Sequence, residues 1–373
     1  MARAPAVQEF EALPEADRLD EFPHPRQTRT LFGHEAVEAE MAQAMAGGRM
    51  HHAWLLAGRE GIGKSTLAYR LARHVLARAE ERDPLGQSLE VAAESTAYRQ
   101  VTALSHPGLL VLRRFYDTRT KRFSSGIPVD EVRRLKSFLG LTAGEGAWRV
   151  VIVDSADDLN INAANALLKS LEEPPPRALF LLVSSEPSRL LPTIRSRSRR
   201  LDLSPLAPEP LRRAVSAALA AADQEMPADK DWARLERLAK GSVRRALQLA
   251  ASGGLELHER IEAILKGLPK IDWPAAHVLS DQLAVNANEQ RFEAFYDLLL
   301  DTLARLTAVR AKGQGGAEER ALAERLIPEH RLAAWAALWQ QLLRDKNEAQ
   351  ELNLDKKALI LGAVARLEAV ARG

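Results

Sequence analysis

Short apolar runs alternate with amphipathic stretches through the first half of the chain. The segments HHAWLLAG (residues 51–58), WRVVIVD (148–154) and ALFLLVSS (178–185) are apolar runs of strand length. The stretch STLAYRLARHVLA (65–77) between the first two has apolar residues at helical spacing. Because strands that are apolar throughout are buried on both faces, this alternation predicts a parallel sheet covered by helices, which is an α/β fold.

Other segments have clear helix boundaries. A helix is predicted over Glu35–Ala46, where two glycines follow, and another over DEVRRLKSFLG (130–140), which has acidic residues in its first turn. NAANALLKSLEEPPP (162–176) is predicted as a helix stopped by its prolines. Residues 109–129 are predicted as two strands around a polar turn.

The second half of the chain has helical periodicity alone from Leu255 onward. In EQRFEAFYDLLLDTLARLTAVR (289–310), one stripe carries the apolar residues Phe292, Phe295, Leu299, Leu303 and Leu306. The proline-rich LSPLAPEP (203–210) is predicted as a linker. We therefore expect four parts: an acidic tail (1–22), an α/β domain (23–203), a small helical domain (204–252) and an all-α C-terminal domain (253–373).

Composition excludes several classes of protein. The 373 residues include 52 Lys and Arg against 50 Asp and Glu, so any contact with nucleic acid must be a local patch. The absence of cysteine excludes disulfides and Cys-ligated zinc. No apolar run approaches the ~20 residues of a membrane helix, and the N-terminus lacks a signal peptide pattern. We expect a soluble cytoplasmic protein without a membrane partner.

The segment GREGIGKS (58–65) has the G-x4-G-K-S spacing of a phosphate-binding loop between a predicted strand and a predicted helix. Glycines let backbone N–H groups surround phosphate oxygens, and the helix adds its positive N-terminus. Lys64 would reach the β- and γ-phosphates, and Ser65 would bind Mg²⁺. The predicted nucleotide-binding residues here are Gly58, Gly61, Gly63, Lys64, Ser65 and Thr66. The alternative is a degenerate loop retained only for folding.

A second motif follows at the end of the strand RVVIVD. Asp154 can join Ser65 in holding Mg²⁺. The next residue is Ser155, where most ATPases of this type have glutamate, and a serine hydroxyl is too weakly acidic to act as a general base. Asp157 or Asp158 could substitute, although both are expected in a turn, facing solvent or capping a helix. We expect ATP and Mg²⁺ to bind and hydrolysis to be slow or absent.

Four segments in this order resemble subunits of the bacterial replicative clamp loader in the AAA+ superfamily, and most closely the δ′ type. They are HHAWLLAG, NALLKSLEEPP (165–175), LPTIRSRS (191–198) and GSVRRAL (241–247). The resemblance covers residue 23 to about residue 250. It implies an AAA+ nucleotide-binding domain over 23–203, a helical lid over 204–252 and an oligomerisation collar over 253–373.

The resemblance also implies roles for two arginines. Arg197 matches the arginine of the family's Ser-Arg-Cys signature, a finger that reaches the ATP site of the neighbouring subunit, and Ser198 replaces the cysteine. Arg244 matches a sensor arginine that approaches the γ-phosphate from the lid. The residues alone leave open that Arg197 belongs to a solvated basic face and that Arg244 is a surface arginine.

The implied partners are the delta and gamma/tau subunits, the sliding clamp, and primed DNA through its backbone. The family's four-cysteine zinc module is absent, so no metal other than Mg²⁺ is expected. RRFYDTRTKRF (113–123) mixes five basic with three aromatic residues, a composition that suits nucleic acid, although we favour an exposed hairpin with a basic tip.

Three alternatives to a poorly hydrolysing, finger-donating subunit remain. The chain could be an ATP-hydrolysing motor subunit of the same loader, or a stand-alone P-loop kinase or DNA-remodelling ATPase. It could also be a scaffold that binds no nucleotide. ATP binding and turnover by the purified chain distinguish them.

Overall fold

The computed structural model describes residues 13–19, 21–83, 86–140, 147–251, 253–285, 289–352 and 354–373. These residues fall into two compact units. The first comprises the described parts of 1–226 together with 236–247, and the second comprises 227–235 with the described part of 248–373. Residues 1–12 and 20 of the predicted acidic tail lie outside the described residues. The four-part division at residues 23, 204 and 253 stays a prediction.

A five-stranded parallel sheet forms the centre of the first unit, with strand order β2-β5-β6-β1-β7. Its strands are β1 Ala53–Ala57, β2 Leu109–Leu112, β5 Arg149–Val153, β6 Ala178–Ser184 and β7 Arg199–Asp202. Two short antiparallel strands, β3 Tyr116–Asp117 and β4 Arg122–Phe123, form a separate hairpin. The predicted α/β fold with a parallel sheet is confirmed.

The helices that belong wholly to the first unit are α1 Glu35–Ala46, α2 Lys64–Leu76, α3 Thr96–Thr102, α4 Val129–Gly140, α5 Ile161–Glu172, α6 Pro192–Arg197 and α7 Pro208–Ala221. Helix α1 begins and ends at the predicted residues. Helix α5 ends at Glu172 because three prolines follow within four residues.

The core of this unit lies on both faces of the sheet. Alternate strand residues, such as Leu55, Val151 and Phe180, pack in one cluster with residues of α4, α5 and α6. The residues between them, such as Leu56 and Ile152, are equally buried and point to the opposite face. Helix α2 covers that face by packing on β1, β5 and β6. This double coverage explains why the central strands are apolar throughout.

Two parts of the sheet differ from the prediction. Residues 109–129 form three strands rather than two, since β2 joins the main sheet beside β5 and the turn is enclosed by β3 and β4. Strand β7 was not predicted at all. It pairs with β1 at the edge of the sheet, and only Leu201 of its four residues is buried, so it lacks the apolar run that marked the other strands.

The second unit is built from helices. The chain crosses between the units within α8 Asp229–Ala239 and α9 Val243–Ala251. The remaining helices are α10 Gly254–Gly267, α11 Trp273–Ala284, α12 Glu289–Lys312, α13 Ala317–Leu326, α14 Leu332–Leu352 and α15 Lys356–Arg372. Helix α12 packs against α10, α13 and α14, and its predicted apolar stripe is buried. Within the part of the chain that is described, no helix combines the length and the apolar character that a membrane crossing requires.

Candidate nucleotide-binding site

The loop between β1 and α2 opens onto a cleft of about 650 Å³ in the first unit. Gly63 adopts a left-handed conformation (φ +107°) that turns the chain into α2. The first N–H groups of α2 have no partner within the helix, so this end can receive an anion. Every predicted nucleotide-binding residue except Gly58 lines the cleft: Gly61, Gly63, Lys64, Ser65, Thr66, Asp154 and Arg244.

Gly61 joins the phosphate loop to the segment GSVRRAL. The N–H of Val243 donates to the Gly61 carbonyl at 2.8 Å. A Cβ on Gly61 would lie 2.5 Å from Cβ of Arg244 and would also clash with Ser242 Oγ, and the residue has φ of +73°. Only glycine tolerates both the backbone conformation and the close approach. This contact, which the sequence patterns did not predict, holds Arg244 at the start of α9 in the cleft, where the resemblance led us to expect it.

Lys64 turns its ammonium group back onto the loop. Its Nζ donates to the carbonyls of Gly58 (2.8 Å) and Arg59 (2.6 Å) and to Ser185 Oγ (3.0 Å). Burial lowers the pKa of Lys64 to about 8, and the nearby carboxylates of Glu60, Asp154 and Asp157 oppose that shift. Gly58 therefore contributes a carbonyl that holds Lys64, and a Cβ on Gly58 would lie 2.5 Å from the Leu203 carbonyl oxygen.

Asp154 directly follows β5 and has a buried carboxylate. Its Oδ2 has no hydrogen-bond donor among the described residues, whereas the Ser65 side chain hydrogen-bonds to the carboxylate. Burial raises the pKa of Asp154 to about 7, the charge of Asp17 adds to the increase, and Ser65 and Lys64 oppose it. An unsatisfied buried carboxylate oxygen is unfavourable on its own. Next to a hydroxyl at a phosphate loop, it fits the oxygen ligands that Mg²⁺ takes together with a nucleotide.

Neither carboxylate that follows Ser155 is free to replace a catalytic glutamate. The Asp157 carboxylate receives four donors, from Ser184 Oγ (2.6 Å), Ser185 N (2.6 Å), Ser155 Oγ (3.0 Å) and Glu186 N (3.3 Å). These bonds tie the ends of β5 and β6 together. Asp158 pairs with Arg114 Nε at 3.2 Å. Asp157 is half-buried and lines the cleft, but its four donors leave it poorly available as a base.

The acidic N-terminal segment forms a wall of the cleft, which sequence reasoning missed. Asp17 lines the cleft and lies 2.7 Å from His24 Nε2 and 3.0 Å from Arg113 Nη1. Glu15 pairs with Arg113 Nη2 (2.6 Å) and Arg26 Nη1 (2.8 Å). Burial alone would raise the pKa of Glu15. Hydrogen bonds from Arg26 and Arg113 outweigh burial and hold this pKa below its ordinary value. Residues 13–19 of the predicted acidic tail are therefore anchored by ion pairs.

The basic stretch 113–123 divides into two parts. Arg113 and Arg114 are engaged with Asp17, Glu15 and Asp158 inside the unit. At the hairpin tip the cations are exposed and have no carboxylate partner among the described residues: Arg119, Lys121 and Arg122. The favoured interpretation of an exposed hairpin with a basic tip is confirmed for these three residues, but not for the two arginines before it.

Arg197 lies at the end of α6, apart from the cleft residues. Its Nη2 is 2.8 Å from Glu172 Oε1, and its Nη1 donates to the Thr193 carbonyl at 3.1 Å. Glu172 ends the NALLKSLEEPP helix, so two of the motifs noted in the sequence meet in this ion pair. The side chain of Arg197 is 36% exposed.

The two arginines that follow, Arg199 and Arg200, are exposed, and each is paired with a carboxylate. Arg199 pairs with Glu40 and stacks on the Trp54 ring, with 4.7 Å to the ring centroid. Arg200 pairs with Asp202 on the same strand.

Comparisons with known proteins agree with this architecture. A family model described as DNA polymerase III, delta subunit, matches residues 33–207. The DNA polymerase III subunit delta′ of Pseudomonas aeruginosa is 32% identical over 319 residues, which are 84% of this chain and 91% of the relative. The subunit delta′ of Escherichia coli is 34% identical over 262 residues, covering 69% of this chain and 71% of the relative. The subunit tau of Escherichia coli is 29% identical over 276 residues, 72% of this chain but 40% of the relative.

Proposed function

The chain belongs to the delta′ subunit family of bacterial DNA polymerase III, and we propose that in the replicative clamp loader it binds ATP with Mg²⁺, hydrolyses it slowly or not at all, and donates Arg197 to a neighbouring ATPase subunit. The observation that carries the first part is the convergence of Lys64, Ser65 and the unsatisfied Oδ2 of Asp154 in one cleft. A loop retained only for folding would not require a buried, unpaired carboxylate oxygen.

Different residues of the cleft bind different parts of the nucleotide and its Mg²⁺. The N–H groups of the loop and the first turn of α2 surround phosphate oxygens, and Lys64 exchanges its carbonyl partners for them. Ser65 and Asp154 hold Mg²⁺. When bound, this ion neutralises charge on the phosphate oxygens. Arg244 stands opposite the loop, where its guanidinium can pair with the terminal phosphate.

Slow hydrolysis follows from the neighbours of Asp154. Ser155 cannot accept a proton from water at neutral pH. Asp157, two residues further on, already receives four donors. The attacking water would therefore lack a base, although the nucleotide is held.

The proposed role of Arg197 is the stabilisation of charge in a partner's active site. Two observations support a role in trans. Arg197 does not line the cleft of its own chain, and its guanidinium is partly exposed. Such arginines contribute about 10³-fold or more in related NTPases. The proposed partners are the delta and gamma/tau subunits, the sliding clamp and the backbone of primed DNA. The small helical domain at 204–252 would act as the lid and residues 253–373 as the collar.

The test is equilibrium ATP binding and single-turnover hydrolysis by the purified chain. Lys64→Ala is the variant, and Lys136→Ala, which removes an exposed lysine of α4, is the matched control. We expect Mg²⁺-dependent binding that is lost in Lys64→Ala, retained in Lys136→Ala, and accompanied by negligible turnover.

Two results would contradict the proposal. Lys64-dependent turnover would assign the chain to the motor subunits. Absence of binding in the wild type would leave the scaffold alternative, with Arg197 as its contribution to chemistry.

A further inference from the structure

Both cations that face the phosphate loop already have acceptors within the protein. Lys64 is held by the loop carbonyls and Ser185. Arg244 is held by Glu60, a residue of the loop itself, with 3.3 Å between Arg244 Nε and Glu60 Oε1. A phosphate entering the cleft therefore meets two cations that already have acceptors in the protein, with which it would compete.

The Arg244 side chain has a fixed base and an exchangeable end. Its backbone is fixed because Val243 N donates to the Gly61 carbonyl and Arg244 Cβ lies where Gly61 has no side chain. Its guanidinium contacts the Glu60 carboxylate, and its Nη1 donates weakly to the Asp17 carbonyl at 3.5 Å. Glu60 is 74% exposed and Arg244 is 29% exposed, so the pair can open without disturbing the core.

Two other arginines that line the cleft are also paired with carboxylates. Arg114 lies 3.2 Å from Asp158, and Arg189 lies 3.5 Å from Glu186. Glu60 differs from these two carboxylates because it is part of the phosphate loop, and its partner is the arginine that the Gly61 contact anchors there. A carboxylate and a phosphate oxygen offer a guanidinium the same kind of acceptor.

We propose that Glu60 competes with the terminal phosphate of a nucleoside triphosphate for Arg244, and so sets the affinity of the cleft for triphosphate. The proposal rests on the proposed binding of nucleotide at this loop. The Glu60–Arg244 ion pair stabilises the cleft when no nucleotide is bound. A ligand that breaks this pair loses that free energy, so its binding is weaker by the same amount. Because exposed ion pairs contribute little, removing Glu60 should tighten triphosphate binding by about two- to fivefold.

A double-mutant cycle separates competition from simple charge repulsion. The dissociation constants of MgATP and MgADP are measured for the wild type, Glu60→Gln, Arg244→Ala and the double variant. We expect Glu60→Gln to tighten ATP binding in the wild type and to have no effect in the Arg244→Ala background. The gain should be smaller for ADP, which lacks the terminal phosphate. Glu94→Gln, an equal change of charge at an exposed site away from the cleft, should change neither constant.

Three other outcomes would each contradict either the competition between Glu60 and phosphate or the proposed function. An equal gain in the Arg244→Ala background would show that Glu60 acts on the phosphates by repulsion and not through Arg244. Binding that depends on Lys64 but is unchanged by Glu60→Gln would overturn the competition alone. Absence of Lys64-dependent binding in the wild type would overturn the proposed function and the competition with it.

Discussion

Substitution of Arg113 by methionine tests whether the N-terminal segment is held at the cleft by charge. Arg113 binds Glu15 and Asp17, whose side chains are 13% and 6% exposed. Removing one partner of a buried ion pair costs about 3–5 kcal/mol, because the other charge stays buried and unpaired. Arg113 is itself 21% exposed and Glu15 retains Arg26, so we expect a smaller loss, about 2–3 kcal/mol.

The loss should appear as local opening of residues 13–19. Because 1.4 kcal/mol is a factor of ten, the opening equilibrium should increase about 30- to 150-fold. Amide hydrogen exchange measures that opening directly. The matched control is Arg133→Met, which breaks an exposed pair with Asp130 on α4 and should leave exchange in residues 13–19 unchanged. The double change Asp17→Asn, Arg113→Met should restore part of the protection, since the unpaired charge of Asp17 is removed and Glu15 keeps its pair with Arg26.

The ion pairs that anchor residues 13–19 should weaken as the pH falls. The ion pairs lower the pKa of Glu15 and of Asp17 in the folded chain. Their stabilisation is therefore complete above the ordinary carboxyl pKa of about 4 and is lost as the pH falls through the lowered values. The difference between the wild type and Arg113→Met should shrink over that acidic range. Equal exchange in Arg113→Met and the wild type at neutral pH would refute the idea that these ion pairs anchor the segment.

Three further predictions concern the loop and the two motifs beside it. Glu172→Gln should lower ATP turnover by the assembled loader less than Arg197→Ala does, because it misplaces Arg197 without removing it; equal effects in the steady-state assay would contradict a positioning role. Ser155→Glu should raise single-turnover hydrolysis by the isolated chain if a base is the missing group, and unchanged turnover would show that more than the base is missing. Gly61→Ala should destabilise the first unit by at least about 1–2 kcal/mol, since it places a side chain at φ +73° against the Ser242–Arg244 segment; urea unfolding would show it, and Gly140→Ala, where an added Cβ meets nothing within 4 Å, is the control.

The sequence predicted the features that repeat with a short period or follow one another closely. The continuous apolar strands, helix α1 and the buried stripe of α12 follow from local patterns. The anchoring of the N-terminal segment does not, because Glu15 and Arg113 are separated by 98 residues and each belongs to a stretch whose composition indicates exposure. The contact at Gly61 was hidden for another reason. The phosphate-loop motif already accounts for a glycine at position 61. The sequence motif therefore gave no sign that Gly61 also packs against Ser242 and Arg244.

Both arginines proposed to act on nucleotide are paired with a carboxylate from another motif of the same chain. Arg244 contacts Glu60 of the phosphate loop, and Arg197 contacts Glu172 at the end of the LEEPP helix. A guanidinium retains its charge at any physiological pH, so it must be kept close to the site without being left unpaired. A partly exposed carboxylate meets both requirements, because it orients the guanidinium and yet holds it weakly enough for a phosphate to displace it. Under the proposed function, the two pairs would therefore allow the same exchange at two sites, one facing the chain's own cleft and one available to a neighbouring subunit.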